Sequence, residues 1–261
     1  MYSLITLITD YGFDSPYVAA IKGCVYAQIP NGLVVEITNQ INPFDITQAA
    51  FLLNSVYKNF PAGTWHLIGV DTNIDLHKQV LIVEHEGHYF IGADNGIFSI
   101  LFDPLPEKVY KVLSAYINNS ELFADKNIFV GIAASFFKTG SLNNLTEPGV
   151  IETIRQSIQP TIEDTVVRGT VMYVDGFNNA ITNITKELFE QAVKGRKFTL
   201  YYWGRHSIKH ISKHYHEGKP GDDIMLFNEN NYLEIAMNRG RGAQLLGLKV
   251  GSKIIIEISA E

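Results

Sequence analysis

Alternating strand and helix signals over the first hundred residues most constrain the fold of this chain. Residues 4–9 form a continuous apolar run rich in β-branched side chains, which is typical of a strand buried on both faces of a sheet, and residues 34–37 and 64–70 predict two further strands. Ser15 followed by Pro16 is a helix-start signal, and Asp45 can cap a second helix. This alternation predicts an N-terminal α/β domain with a largely parallel sheet flanked by helices.

Further signals extend this domain towards the middle of the chain. Residues 80–92 predict a hairpin, and residues 127–138 predict a long helix. Beyond residue 141 the pattern loosens around prolines and glycines until about residue 165, which indicates a domain boundary. We therefore expect one domain over residues 1–150 and a second over residues 165–261.

The second domain has a different sequence pattern, because it consists mainly of predicted short strands. Five segments predict strands: residues 166–174, 197–203, 223–227, 232–237 and 253–258. One helix, residues 186–193, interrupts them. Short strands at this spacing favour a small antiparallel, barrel-like all-β domain.

Charge and cysteine content exclude several classes of protein. The formal net charge is −6 at pH 7, and no basic stripe is visible, so we expect no nucleic-acid partner. No apolar run approaches the length of a membrane span, and the first residues resemble a strand rather than a signal peptide, so we expect no membrane partner. Cys24 is the single cysteine. An internal disulfide is therefore impossible, and we expect a cytoplasmic location.

Carboxylates lie where ligands collect in an α/β sheet, at the carboxyl ends of the strands. Asp10 and Asp71 end two predicted strands, and Asp94 lies in a turn after the hairpin. The loop at residues 10–16 has no glycine cluster and no Lys or Arg, which argues against dinucleotides and nucleoside triphosphates. A neutral diol or a cation suits these acids better, and Asp10 could accept hydrogen bonds from both hydroxyls of a ribose.

Other interpretations of the polar residues stay open at this point. The three acids could be helix caps and solvated loop charges, or Asp10, Asp71 and Asp94 could be the oxygen ligands of a metal-dependent hydrolase. A histidine series is interpreted as a polar hairpin or surface loop rather than a metal site, because glycines flank it: His206, His210, His214 and His216. We expect no bound metal.

Short motifs occur in a fixed order across both predicted domains. They are Thr9-Asp10-Tyr11-Gly12, Glu36-Ile37-Thr38, Phe60-Pro61-Ala62-Gly63-Thr64, Gly92-Ala93-Asp94-Asn95-Gly96, Val174-Asp175-Gly176-Phe177-Asn178-Asn179 and Tyr232-Leu233-Glu234-Ile235-Ala236. In this order and spacing, the chain resembles the S-adenosylmethionine (SAM) hydroxide adenosyltransferases. These are adenosine-forming SAM hydrolases, relatives of the fluorinase and chlorinase.

The resemblance implies an architecture and a set of binding residues. It implies an α/β domain, a C-terminal β-barrel domain, SAM as substrate without a separate cofactor, and a homotrimer with each site between two subunits. By position it implies eight substrate-binding residues: Asp10, Phe44, Asn95, Asp175, Phe177, Asn179, Met237 and Arg239. Asp10 would hold the ribose diol, Phe44 would form an aromatic wall, and Asp175 would pair with the methionine ammonium. Asn179, with backbone near Met237 and Arg239, would read the adenine edge.

The implied reaction is in-line displacement at the ribose C5′ by water or hydroxide, which releases methionine and adenosine. The family uses an Asp, an Arg seven residues later and a His before a helix. Here the Asp is Asp71, the Arg position holds Lys78, and the His position holds Ala124. Lys keeps the positive charge but lacks the planar fork of Arg, and loss of a positioned base typically costs about 10²–10⁴ in rate.

Three functions therefore stay open. The first is a SAM hydrolase that uses Asp71 and Lys78, slowed or altered by these replacements. The second is a homologue that binds SAM or adenosine without turnover. The third is a related displacement with another nucleophile or nucleoside.

Overall fold

A computed structural model of the chain describes residues 3–73, 79–117, 123–202 and 206–260. The chain forms two compact units, one ending at Ser157 and the other beginning at Ile158. Among the described residues, no helix is both long enough and apolar enough to cross a bilayer.

The first unit contains seven strands and five α-helices in the part that is described, with a short 3₁₀ turn at Tyr57–Asn59. The strands are β1 Ser3–Thr9, β2 Gly32–Thr38, β3 Trp65–Gly69, β4 Val80–His85, β5 His88–Ala93, β6 Lys108–Val112 and β7 Thr146–Pro148. The helices are α1 Pro16–Gln28, α2 Ile46–Asn54, α3 Ile97–Leu101, α4 Ser114–Ile117 and α5 Val130–Thr139.

The seven strands form one mixed sheet in the order β2-β1-β3-β5-β4-β6-β7. β2, β1, β3 and β5 run parallel to one another, and the remaining pairs are antiparallel. Residues of α1 and α5 share one hydrophobic cluster with the sheet, and residues of α2 and α3 share another. The predicted α/β class is confirmed, and the parallel strands are those whose carboxyl ends carry the acids.

Local capping chemistry explains where the first helices begin. Ser15 Oγ accepts a hydrogen bond from the Tyr17 N–H at 3.3 Å, and Pro16 occupies the first turn of α1. Asp45 Oδ1 accepts from the Gln48 N–H at 2.9 Å and so caps α2. Both predicted helix starts are confirmed.

The helix predicted over residues 127–138 begins earlier and differently. A π-helical turn over Asp125–Phe129 leads directly into α5. Periodicity does not reveal such a turn, because one wider turn inserts a residue without changing the apolar face that follows. The widened turn places Asp125 against the end of β3, where the sequence pattern gave no reason to expect a contact.

Gly69, the last residue of β3, is required by this close approach. A Cβ atom at position 69 would lie 2.6 Å from Asp125 Oδ2 and 2.8 Å from Thr9 Cγ2. Contacts this short do not occur between real side chains, so any larger residue would push the π-helical turn away from the sheet.

The second unit is an antiparallel, nearly closed barrel-like sheet, which confirms the predicted all-β class. Its strands are β8 Thr161–Glu163, β9 Val166–Val174, β10 Ala180–Thr185, β11 Phe198–Tyr202, β12 His206–Ile208, β13 Asp223–Phe227, β14 Tyr232–Met237 and β15 Lys253–Ile258. The order is β12-β11-β15-β9-β10-β14-β13, with β8 on β9, and the end strands β12 and β13 contact each other. The helices α6 Lys186–Val193 and α7 Gly242–Leu245 accompany the sheet.

Gly69→Ala is expected to lower the free energy of unfolding by about 1–3 kcal/mol, because the added methyl group meets a buried carboxylate and a strand end. Urea or thermal unfolding measures this. The matched control is Gly131→Ala on α5, where an added Cβ meets no described atom within 4 Å. That change should be neutral or stabilising by up to about 1 kcal/mol. Equal effects of the two substitutions would contradict the close approach.

Candidate active site

A cleft of about 300 Å³ opens where β1 and β3 end. Nine of the described residues line it: Asp10, Tyr11, Tyr17, Phe44, Asp71, Thr72, Asn73, Phe123 and Ala124. Three residues predicted from the sequence as functional, Asp10, Phe44 and Asp71, therefore meet at one cleft. Ala124, which the resemblance implies stands at the position of the family's His, also lines it.

Asp10 ties together the two loops that shape this cleft. Its Oδ2 accepts hydrogen bonds from the Phe44 N–H at 2.9 Å and from the Asp71 N–H at 3.3 Å. Phe44 and Asp71 both have left-handed backbone conformations, with φ of 66° and 49°. Such conformations cost roughly 1–2 kcal/mol for residues other than glycine. The shared carboxylate holds both loops in place, and a carboxylate with two oxygens retains capacity to accept further hydrogen bonds from a ligand.

Asn95 supports the Asp71 loop from behind rather than lining the cleft. Its side-chain amide donates to the Val70 carbonyl at 3.0 Å and to the Asp71 carbonyl at 3.1 Å. Its Oδ1 accepts from the Ile97 N–H at 3.1 Å, and the residue is 3 % exposed. Asn95 therefore positions the backbone beside Asp71, and the substrate contact predicted for it from the sequence stays a prediction.

Asp94 also forms hydrogen bonds that hold a neighbouring segment of the backbone. Its carboxylate accepts from the backbone N–H groups of Glu152 and Thr153, at 3.0 and 3.2 Å. Burial raises the pKa of Asp94, an effect that these two hydrogen bonds oppose. Within the described ranges, no group of three His, Cys, Asp or Glu side chains is arranged to hold a metal ion. The geometry therefore gives no support to the metal-dependent alternative through Asp10, Asp71 and Asp94.

A buried acid that the sequence analysis did not single out lies below the cleft. Asp125 is 0 % exposed, and its Oδ2 accepts a hydrogen bond from the Tyr11 hydroxyl at 2.6 Å. Burial raises the pKa of Asp125 to about 6, although the nearby hydroxyls of Tyr11 and Thr72 act in the opposite direction. Burial likewise raises the pKa of Tyr11, and the charge of Asp125 adds to the rise.

Aromatic packing fixes the Tyr11 ring in the cleft wall. The ring centroids of Tyr11 and Tyr17 are 5.3 Å apart, and Phe123 meets Tyr11 edge-on at 5.9 Å. Tyr17 and Phe123 are 5.2 Å apart, so the three rings form one cluster. These distances are typical of favourable edge and tilted aromatic contacts. Tyr11 is therefore held by its ring as well as by its hydroxyl.

The second unit has a larger cavity of about 680 Å³. Within the part of the chain that the structure describes, its lining residues are Asp175, Phe177, Asn179, Tyr215, Met237, Arg239, Gly240 and Arg241. All five C-terminal residues that the resemblance assigned to substrate binding are in this set. Asp175 organises the loop, because its Oδ1 accepts from the backbone N–H groups of Phe177 and Asn179 at 3.0 and 2.8 Å.

Tyr215 and Glu234 were not predicted as site residues. Tyr215 belongs to the loop between β12 and β13 that contains three of the histidines, and it contributes to the cavity wall. Glu234 lies on β14 and is 2 % exposed. Burial raises the pKa of Glu234, and hydrogen bonds from the Asn228 and Tyr215 side chains oppose this. Glu234 belongs to the motif Tyr232-Leu233-Glu234-Ile235-Ala236, but nothing in the sequence shows that this strand residue contacts the Asn228 and Tyr215 side chains.

Lys78, the predicted catalytic cation, and the neighbouring His77 lie outside the described residues. Their roles stay predictions.

Asp125→Asn should change how stability depends on pH. The ordinary pKa of 3.8 rises to about 6 in the folded state, so the native state binds this proton more tightly than the unfolded state. The resulting stabilisation is present below the unfolded pKa and is lost as pH rises through about 6. The wild type should therefore lose about 2 kcal/mol relative to the non-titrating Asn variant between about pH 4 and about pH 7. Thermal unfolding across this range measures the difference, and parallel curves for the two proteins would contradict it.

Both parts of the sequence match one known protein family. Residues 5–146 match the SAM hydroxide adenosyltransferase N-terminal domain, and residues 169–255 match the C-terminal domain of the same family. The chain is similar to two proteins named (R)-S-adenosyl-L-methionine hydrolase. The one from Methanocaldococcus jannaschii is 25% identical, over 94% of this chain and 92% of that protein. The one from Thermus thermophilus is 24% identical, over 96% of this chain and 98% of that protein.

Two solved structures have a similar fold. An uncharacterized conserved protein from Thermotoga maritima superposes with a TM-score of 0.87 at 25% identity, covering 97% of this chain and 99% of that one. A conserved hypothetical protein from Thermus thermophilus gives a TM-score of 0.74 at 23% identity, covering 99% of this chain and 100% of that one. Because the two family domains together span more than half of the sequence, the chain belongs to the SAM hydroxide adenosyltransferase family.

Proposed function

We propose that this protein hydrolyses SAM to adenosine and L-methionine by attack of water or hydroxide at the ribose C5′. The observation that carries the proposal is the grouping of the expected residues. Asp10, Phe44 and Asp71 meet at the cleft, and the five C-terminal residues line the cavity of the second unit. Family membership over both units supports the same reaction.

In this proposal the cleft receives the reacting end of the substrate. Asp10 accepts hydrogen bonds from the ribose hydroxyls, and Phe44 covers the sugar. The negative charge of Asp10 also favours a ligand with a positive sulfonium, because opposite charges attract strongly at a partly desolvated site. In the second unit, Asp175 pairs with the methionine ammonium and Asn179 reads the adenine edge.

The chemistry needs little from the protein at the leaving group. As the oxygen–C5′ bond forms, the C5′–sulfur bond breaks, and its electron pair goes to sulfur to give the neutral thioether of methionine. No acid is therefore required there. The protein must orient the water, remove its solvation and accept its proton. We propose that SAM is the substrate without a separate cofactor, and that a chelator leaves turnover unchanged.

A second candidate is a binding protein without turnover. Ala124 favours it, because this cleft residue stands at the position of the family's His and carries no base. A cytoplasmic location suits both candidates, since a chain with one cysteine gains nothing from an oxidising compartment.

Incubation of the purified protein with SAM, followed by chromatography of nucleosides, tests the reaction. We expect adenosine and methionine in equal amounts. Asp10→Ala should weaken SAM binding by at least about 100-fold, because it removes charge-assisted hydrogen bonds. Asp71→Ala should keep the affinity within about threefold and lower turnover by about 10²-fold or more. Binding heat in calorimetry without adenosine from the wild type would select the non-catalytic candidate, and unchanged affinity in Asp10→Ala would contradict the ribose assignment.

The proposal includes a homotrimer in which the cleft of one chain and the cavity of another complete each site. Exposed aromatic side chains support it, since Phe44 is 65 % and Phe177 is 82 % exposed. Large exposed apolar side chains are typical of surfaces that a partner or a ligand covers.

Mixing two inactive variants tests the shared site. Asp10→Ala and Asp175→Ala chains are unfolded, mixed in equal amounts and refolded together. Each mixed trimer then has one intact cleft facing one intact cavity, so about a quarter of wild-type activity should return. Each variant refolded alone is the control. Absence of recovery in a mixture shown by mass to contain both chains would contradict sites shared between subunits.

A further inference from the structure

Asp125 is a buried acid at a position where a residue with a purely structural role would be expected to be uncharged. It is completely buried in the π-helical turn, directly after Ala124 in the cleft wall. Its Oδ1 accepts no hydrogen bond of ordinary geometry from the described residues, although Thr72 is near enough to affect its pKa. A buried carboxylate with an unsatisfied oxygen is costly, and an uncharged side chain of the same shape would avoid the cost.

Tyr11 connects this buried acid to the cleft. The Tyr11 hydroxyl donates to Asp125 Oδ2 at 2.6 Å, a length typical of strong hydrogen bonds to carboxylates. The same residue lines the cleft beside Asp10 and Asp71, whereas Asp125 itself does not. Its hydroxyl oxygen keeps lone pairs that can accept a hydrogen bond from a water molecule in the cleft.

Ring packing holds Tyr11 in addition to this hydrogen bond. Tyr17 and Phe123 both pack against that ring. An anchoring role could also be served by an amide or hydroxyl partner without the cost of a buried charge. What a carboxylate adds in this position is the ability to take up a proton.

We propose that Tyr11 and Asp125 form a proton relay that deprotonates the attacking water, in place of the His that the chain lacks at Ala124. The relay rests on the proposed function, because it acts on the water that attacks C5′. The water transfers a proton to Tyr11 Oη while Tyr11 transfers its own proton to Asp125 Oδ2. The water oxygen bonds to C5′, and the C5′–sulfur electron pair leaves with methionine. One proton thus ends on Asp125, and Tyr11 is unchanged.

The acid–base properties of the pair fit this sequence of events. Because the pKa of Tyr11 is raised, its hydroxyl stays protonated, and the two transfers must be concerted. Burial raises the pKa of Asp125 to about 6, so it is ionised near neutral pH and a stronger base than an ordinary Asp.

Other titratable groups lie near Tyr11 and Asp125 and can influence the pH dependence of the pair. Asp10, at the end of β1, raises the pKa of Asp125 through its negative charge. Cys24 on α1 contacts the Lys126 carbonyl, and the Lys126 ammonium lies 5.4 Å from the Phe123 ring centroid. Tyr17 reaches the cleft from α1, and Asp71 reaches it from the loop after β3.

Asp125→Asn is the test variant, because it keeps the shape and an acceptor for the Tyr11 hydroxyl but cannot take up the proton. The wild-type kcat for adenosine formation should rise with pH through about 6 and then level off. In Asp125→Asn, kcat should fall by about 10²–10⁴-fold and lose this rise, while KM and the Kd for adenosine stay within about threefold. Tyr11→Phe should show the same loss, and the double variant should be no worse than either single variant.

Tyr57→Phe is the matched control. The Tyr57 hydroxyl also donates to a carboxylate, that of Glu86 at 2.8 Å, but neither residue lines the cleft. This variant should keep kcat and its pH profile. Thermal unfolding confirms that each variant is folded. If Asp125→Asn does not fold, Tyr11→Phe at the cleft wall is the variant that tests the relay.

The outcomes separate the relay from the reaction. If the wild type forms adenosine and folded Asp125→Asn keeps its kcat within about threefold with the same pH profile, the relay is overturned and the hydrolase stands. If the wild type forms no adenosine, the proposed function and the relay fall together. A fall in kcat with an unchanged pH profile shows a purely structural role for Asp125 and also overturns the relay.

Discussion

The site depends on one carboxylate that joins two strand ends. Asp10 Oδ2 accepts hydrogen bonds from the Phe44 and Asp71 backbone N–H groups, and both of these residues hold left-handed backbone conformations. Neither conformation is favourable by itself, so the loops keep their shape because the carboxylate satisfies both donors at once. A ligand that hydrogen-bonds to Asp10 therefore meets a prearranged surface, which lowers the ordering cost of binding.

Negative charge organises the chemistry around this junction. Asp10 and Asp71 lie at the cleft, and Asp125 is buried beneath it. Loss of solvent and repulsion from Asp10 together make Asp125 a stronger base than an exposed acid. A substrate with a cationic sulfonium suits a cleft with this negative charge. When the C5′–sulfur bond breaks, the sulfonium becomes the neutral thioether of methionine, and the cleft no longer holds a positive charge. The π-helical turn and Gly69 belong to the same arrangement, because both allow Asp125 to approach β3 closely.

Local patterns predicted much of the fold because their causes are local. Ser15 and Asp45 cap helices through backbone donors two or three residues away, and strands such as Val166–Val174 carry their own propensity. β10 was missed because its residues are buried without alternation and include polar side chains that find partners elsewhere in the sheet. The widened turn at Asp125–Phe129 was missed because periodicity reports a helical face, not the geometry of a single turn.

The same distinction applies to the site. Strand-end position and motif order identified Asp10, Phe44 and Asp71, and the structure brings them to one cleft. Asn95, taken from a motif, is directed at the backbone of the Asp71 loop. The contact between Tyr11 and Asp125 joins positions 114 residues apart. A contact between residues so distant in sequence cannot be predicted from local sequence patterns.

A crystal structure of the protein with adenosine and methionine would test the central claim most directly. The account predicts the ribose hydroxyls within hydrogen-bonding distance of Asp10, with C5′ facing the Tyr11 hydroxyl. Adenosine bound away from Asp10, or a cleft that remains empty at saturating ligand, would contradict this prediction.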